Sequence, residues 1–105
     1  MASRAATEGF NELVYSFSEE DGVSVAAEGL LVHGTVFARL EGDDLLVELP
    51  PARAADLVER GIAERFAVHG QSGRNWARVS DLQLWPELAR EAHEYVGEPP
   101  VGGDS

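Results

Sequence analysis

A chain of 105 residues with 44% hydrophobic content has room for one domain and a real core. Nineteen acidic residues stand against eight arginines and no lysine, a formal net charge of −11, and such a field repels polyanions and disfavours nucleic acid as a partner. The absence of cysteine excludes disulfides and thiolate metal sites and fits a cytoplasmic protein, while no apolar run approaches the roughly 18 residues of a membrane span and MASRAATEGF carries no signal-peptide core.

In chain order, residues 1–6 are expected to fray. From about Thr7 to Ser18, Phe10, Leu13, Val14 and Phe17 recur at helical spacing, with Thr7 as N-cap. The run Glu19-Glu20-Asp21-Gly22 ends that helix. Val23 to Val32 is extended, and Gly29 interrupts it, so that two short strands or one bent strand both fit. His33-Gly34 makes a two-residue hairpin connection. In the strand that follows, alternation points Val36, Ala38 and Leu40 inward and Thr35, Phe37 and Arg39 outward. After a turn at Glu41–Asp44, Leu45, Val47 and Leu49 point inward, with Leu46 and Glu48 outward.

Pro51 opens a second helix, whose buried stripe is Ala54, Leu57 and Val58 and whose C′ residue is Gly61. Glu64–Val68 and Asn75–Val79 are two further strands around a His69–Gly73 loop. Ser80 and Gln83 fit a capping box. Pro86 would sit deep inside a helix starting there, so the last helix is placed at Pro86–Val96, with Leu88, Ala92, Tyr95 and Val96 inward and Gly97 at its end. The tail from Glu98 to Ser105, with Pro-Pro and Gly-Gly, is expected to be disordered. The order α-β-β-β-α-β-β-α predicts a single α+β domain over residues 1–97. Its architecture is two layers, an antiparallel sheet of about five strands with helices on one face.

Several pieces in this order carry a family resemblance. They are Thr35-Val36-Phe37-Ala38-Arg39-Leu40, Leu45-Leu46-Val47-Glu48-Leu49-Pro50, the helix to Gly61, Ala63-Glu64-Arg65-Phe66, Trp76 with Val79, and Trp85-Pro86-Glu87-Leu88-Ala89-Arg90-Glu91-Ala92 leading to Tyr95-Val96. Over about residues 8–97 the chain resembles the N-terminal domain of TfoX/Sxy-family proteins, within the group sharing the YjbR-like fold. The resemblance implies that α+β fold and a part in regulation; full-length members are associated with competence-gene control and carry a second, C-terminal domain, of which this chain is expected to be a stand-alone counterpart. YjbR-like relatives are often described as DNA-binding. The family's basic-Met-Phe-Gly element is replaced here by Val23-Ser24-Val25-Ala26, and its strand lysine by Glu48. Both changes remove positive charge or a distinctive surface.

The residues themselves offer few sites. Of the three histidines, His33 reads as a turn residue, His69 as a loop residue and His93 as helix surface, so no metal site, cofactor or catalytic set is expected. The chain has no Gly-x-Ser-x-Gly elbow and no phosphate-binding glycine loop, and a non-enzymatic role follows as the expectation. His69, Gln71, Asn75 and Trp76 mark a polar loop. Arg53, Arg60, Arg74 and Arg78 make the patch a nucleic-acid-binding alternative would use, although Asp56 between Arg53 and Arg60 suggests helix-surface ion pairs. The remaining expectation is an interface on the uncovered sheet face at Leu31, Phe37 and Leu46, binding a protein partner or a second copy.

Overall fold

The first helix, α1 (Arg4–Ser16), begins earlier than its apolar periodicity predicts. Ser3, not Thr7, is its N-cap: the Ser3 hydroxyl accepts from the Ala6 amide at 3.1 Å. The Ser3 amide in turn donates to the Asp43 carboxylate, which ties the helix start to a sheet turn. Ala6 is buried instead of frayed. The computed structural model describes residues 3–27, 29–66 and 76–97. Ala67, Val68 and Asn75, expected in strands, the expected His69–Gly73 loop, Arg74 and the tail from Glu98 lie outside them.

Among the described residues six strands form one antiparallel sheet: β1 (Val23–Ala26), β2 (Gly29–Val32), β3 (Thr35–Glu41), β4 (Asp44–Glu48), β5 (Ala63–Phe66) and β6 (Trp76–Val79), in the spatial order β1-β2-β3-β4-β6-β5. The extended segment before His33 is two strands and not one, so the sheet has a strand more than expected. The turn between β2 and β3 has both central residues at positive φ, His33 at 52° and Gly34 at 86°, as a type I′ hairpin turn requires. Between β3 and β4 only Gly42 is left-handed, at φ 60°. Helix α2 (Pro51–Glu59) ends as its glycine predicts: the Gly61 amide donates to Val58 O and the Ile62 amide to Leu57 O, a Schellman closure. Because β6 is antiparallel to both its neighbours, β4 and β5 run parallel to each other with β6 between them.

The last helix, α3 (Trp85–Gly97), follows a single 3-10 turn at Leu82–Leu84. Asp81 caps that turn, accepting from the Gln83 amide at 3.0 Å, in place of the Ser80 capping box. The short turn lets the chain pass into α3 with Pro86 in its first turn, where a proline costs no hydrogen bond. Trp85 is 1% exposed, and its indole N–H donates to Val79 O at 3.0 Å. All three helices pack on one sheet face, against Leu30, Val32, Ala38, Leu45, Val47, Ala77 and Val79. Tyr95, expected inward, is 40% exposed; Leu88, Ala89 and Ala92 make the buried stripe of α3.

One irregularity sets the facing of the central strands. Leu31 pairs with Val36 but Leu30 pairs with Ala38, so β3 carries an extra residue, Phe37, at a β-bulge. Strict alternation would send Phe37 to the open face. The bulge instead brings Phe37 and Ala38 both to the helical side and leaves Val36 half-buried on the other. Phe37 is 0% exposed and meets Phe17 edge-on, with ring centroids 5.4 Å apart. At the start of β2, Gly29 has φ 135°, and a Cβ there would lie 2.4 Å from Ala38 O.

Phe37→Ala is therefore expected to cost about 3–5 kcal/mol in urea unfolding, the range for a buried phenylalanine. An outward Phe37 would show a change well under about 1 kcal/mol. Gly29→Ala should destabilise by at least about 1–3 kcal/mol through backbone strain alone, and a variant with an unshifted urea midpoint would contradict the close approach described.

Candidate functional site

The sheet face away from the helices carries ion-paired side chains beside buried apolar ones. By register, Arg39 of β3, Leu46 of β4, Arg78 of β6 and Glu64 of β5 lie in one row across it. Arg39 reaches Glu41 at 3.3 Å and Arg78 reaches Asp44 at 2.6 Å. Arg78 also lies over the Phe66 ring, 5.8 Å from its centroid. The Arg78 guanidinium is held above its ordinary pKa, mainly by the hydrogen bond to Asp44 and further by the charges of Asp44, Glu64 and Glu41. Leu46 sits between the two arginine stems and is fully buried. Trp76, in register with Glu48 and Phe66, is 2% exposed and belongs to this face, outside the main core.

These placements correct the expected interface. Phe37 is inside the core because of the bulge, and Leu46 is covered; of the three, Leu31 alone is half-buried, beside the equally half-buried Val36. Among the described residues the exposed large apolar side chains lie elsewhere: Tyr15 at 81% on α1, Val25 at 55% on the edge strand β1, Tyr95 at 40% on α3 and Leu82 at 38% beside α1.

The expected arginine patch is not one site. Arg53 makes a two-pronged contact with Glu91 of α3, Nε to Oε1 at 2.9 Å and Nη2 to Oε2 at 3.0 Å, which clamps α2 to α3. That hydrogen bond is the largest influence raising the Arg53 pKa, ahead of the opposing desolvation. Asp56 stands between Arg53 and Arg60 as the sequence suggests and takes both, at 3.5 and 3.2 Å. Arg78 is on the opposite sheet face. Arg74, with His69, Gln71 and Asn75 of the polar loop, lies outside the described residues.

The two described histidines have different roles from those expected of ligands. His33 packs its ring on Gly22, where a Cβ would come within 2.5 Å of it. His93 is not helix surface: its ring lies 5.3 Å from Phe17 and 5.4 Å from Phe37, and its Nε2 is buried with no hydrogen-bond partner among the described residues. Among the described residues no three His, Cys, Asp or Glu side chains converge as a metal site would require.

Two surface features were not anticipated. The first is the outer edge of β1, which no strand pairs among the described residues. His33 N–H donates to Gly22 O, so that pair is hydrogen-bonded. By antiparallel alternation the N–H and C=O of Val23 and Val25 then point away from β2. Val23 N–H is taken up by Glu20 O, which leaves Val25 facing outward. The second is a groove of about 390 Å³ between α1 and the start of α3, lined by Gly9, Leu13, Leu82, Trp85 and Pro86 with Glu8 and Glu12 on the α1 side. Its sequence signal was Gly9 itself, a glycine in the middle of an amphipathic helix. The edge position left no mark here, because Val23–Ala26 has neither the charge nor the proline that often blunts an edge strand.

The unpartnered nitrogen gives a stability prediction. His93→Leu keeps the ring-sized volume and removes a buried polar atom lacking a partner, so it should be neutral or stabilising by up to about 1 kcal/mol in urea unfolding. A loss above about 2 kcal/mol would show that the imidazole makes a needed polar contact.

No family model matches the chain, and neither the curated proteins nor the solved structures compared with it contain a match.

Proposed function

We propose that this chain is a non-catalytic regulatory domain that acts by binding protein, with a second copy of itself as its first partner. The reading rests on one observation, the open edge of β1. It is uncharged over Val23–Ala26 in a chain that is 26% charged, and Val25 exposes both its side chain and its outward backbone groups. Native sheets commonly blunt such an edge with charge, proline or a covering element. Strand addition is the usual use of an edge left unblunted.

Antiparallel pairing of two β1 strands about a two-fold axis joins two six-stranded sheets. It also sets the acidic run Glu19-Glu20-Asp21 of each copy at opposite ends of the new pair, away from its counterpart. A resemblance of the sequence to TfoX/Sxy N-terminal domains, itself part of this proposal, favours a regulatory role in the cytoplasm. Within this reading protein is preferred to nucleic acid as the partner, because Arg53, Arg60 and Arg78 already hold carboxylates.

Analytical ultracentrifugation at increasing concentration tests the proposal. Wild type should move from 11.3 kDa toward twice that mass, and more readily at 0.5 M than at 0.05 M salt, since screening relieves repulsion between two acidic copies. Val25→Pro should stay monomeric with its fold intact, because proline is tolerated on an edge strand where its missing N–H faces outward. A wild-type protein that remains at 11.3 kDa at millimolar concentration removes self-association.

A further inference from the structure

The outer edge of β1 offers a partner less than the strand's full length. Val23 and Val25 both direct their N–H and C=O away from β2, because Gly22 and His33 form a hydrogen-bonded pair. The Val23 N–H is met on that outer side by Glu20 O at 3.4 Å. The Glu20 peptide therefore stands beside Val23, in the place that a neighbouring strand would have to occupy. At the other end β1 stops at Ala26, and Ala27 enters the turn that leads to Gly29. What remains is Ser24–Ala26, all three exposed, with Val25 at the centre offering both a backbone donor and a backbone acceptor.

This geometry selects among the registers in which two β1 strands can pair antiparallel about a two-fold axis. An axis at Ser24 sets Val25 of each copy beside Val23 of the other, where the Glu20 peptide already stands. An axis at Val23 places that conflict at the centre of the pair. An axis at Ala26 would need Ala27, which has left the strand. An axis at Val25 uses only Ser24–Ala26 of each copy and meets none of these obstacles.

Resting on the reading of β1 as the self-pairing edge, we infer that two copies join in one register, with Val25 directly opposite the partner's Val25. Each Val25 N–H donates to the carbonyl of the partner's Val25, and Ser24 stands opposite the partner's Ala26. Val25 is in register with the core residue Leu30, so its side chain lies on the helical face. The two valine side chains, each 55% exposed in the single copy, cover one another there. A two-fold axis normal to the sheet keeps each face on its own side, so the helices of both copies share one side of the joined sheet.

The chain has no cysteine, so single-cysteine variants report the register directly. Across the inferred pair the two Val25 Cα atoms are about 5.5 Å apart, inside the limit of roughly 7 Å for a disulfide. The two Ser24 Cα atoms, offset by two residues along the pair, are about 8 Å apart and beyond that limit. With the axis at Ser24 the order reverses. Val25→Cys, Ser24→Cys and Tyr15→Cys are oxidised under the same mild conditions, at the concentration that gives wild type its largest mass by ultracentrifugation. Tyr15 is 81% exposed on α1, and its variant reports random collision. Val25→Cys should form the disulfide dimer roughly tenfold faster than either of the others. A faster Ser24→Cys, in protein that ultracentrifugation shows to be dimeric, overturns the register and leaves the self-pairing edge standing. Three equal rates in dimeric protein overturn both the register and β1 as the interface. Protein that stays at 11.3 kDa removes the reading and the register together.

Discussion

The bulge where Leu30 and Leu31 of β2 meet Val36–Ala38 of β3 is the constraint on which the remaining packing depends. A strand offers side chains alternately to two faces, and a regular β3 could give the helices either Phe37 or Ala38. The extra residue gives them both. Phe37 then supplies the bulk that α1 and α3 close around, through Phe17 and His93. Gly29, just before the bulge, is the only residue type that fits beneath Ala38 O at its φ. The distortion of one strand and the docking of two helices are thus a single arrangement.

The helical layer is fixed to the sheet by contacts of different character. Trp85 is anchored by one buried hydrogen bond from its indole to the end of β6, within an otherwise apolar core. α2 is joined to α3 by the Arg53–Glu91 pair, whose side chains are each 32% exposed. A pair that solvated contributes modestly to stability, while its planar two-pronged geometry restricts how α2 and α3 slide. On the opposite face the ion pairs of Arg39 and Arg78 flank a buried Leu46 in the same row of the sheet.

Element types were legible in the sequence where local chemistry decides them. Gly61 marked the end of α2, His33-Gly34 the hairpin, and the Leu45/Val47 alternation the inner face of β4. Asp56 between Arg53 and Arg60 foretold the ion pairs that form. What escaped was parity and position. Nothing in Thr35-Val36-Phe37-Ala38 tells that one residue is extra, because the bulge is a property of β2 and β3 together. The capping of α1 by Ser3 competes with an equally plausible Thr7, and its attachment to Asp43 is non-local. The order of strands, which places Val25 at a free edge, is likewise fixed by pairing and not by β1 itself.

The insertion of β6 between β4 and β5 bears on how the chain is made. Strand β4 carries three fully buried apolar residues in a row, Leu45, Leu46 and Val47, and one of its two edges belongs to β3. Its other partner, Trp76–Val79, lies some thirty residues downstream. During synthesis, α2 and β5 emerge before that partner exists, and β5 cannot substitute for it without occupying β6's place. For that interval a strand with three fully buried apolar residues has an unpaired edge. A nascent chain in this state is open to pairing with strands other than its own.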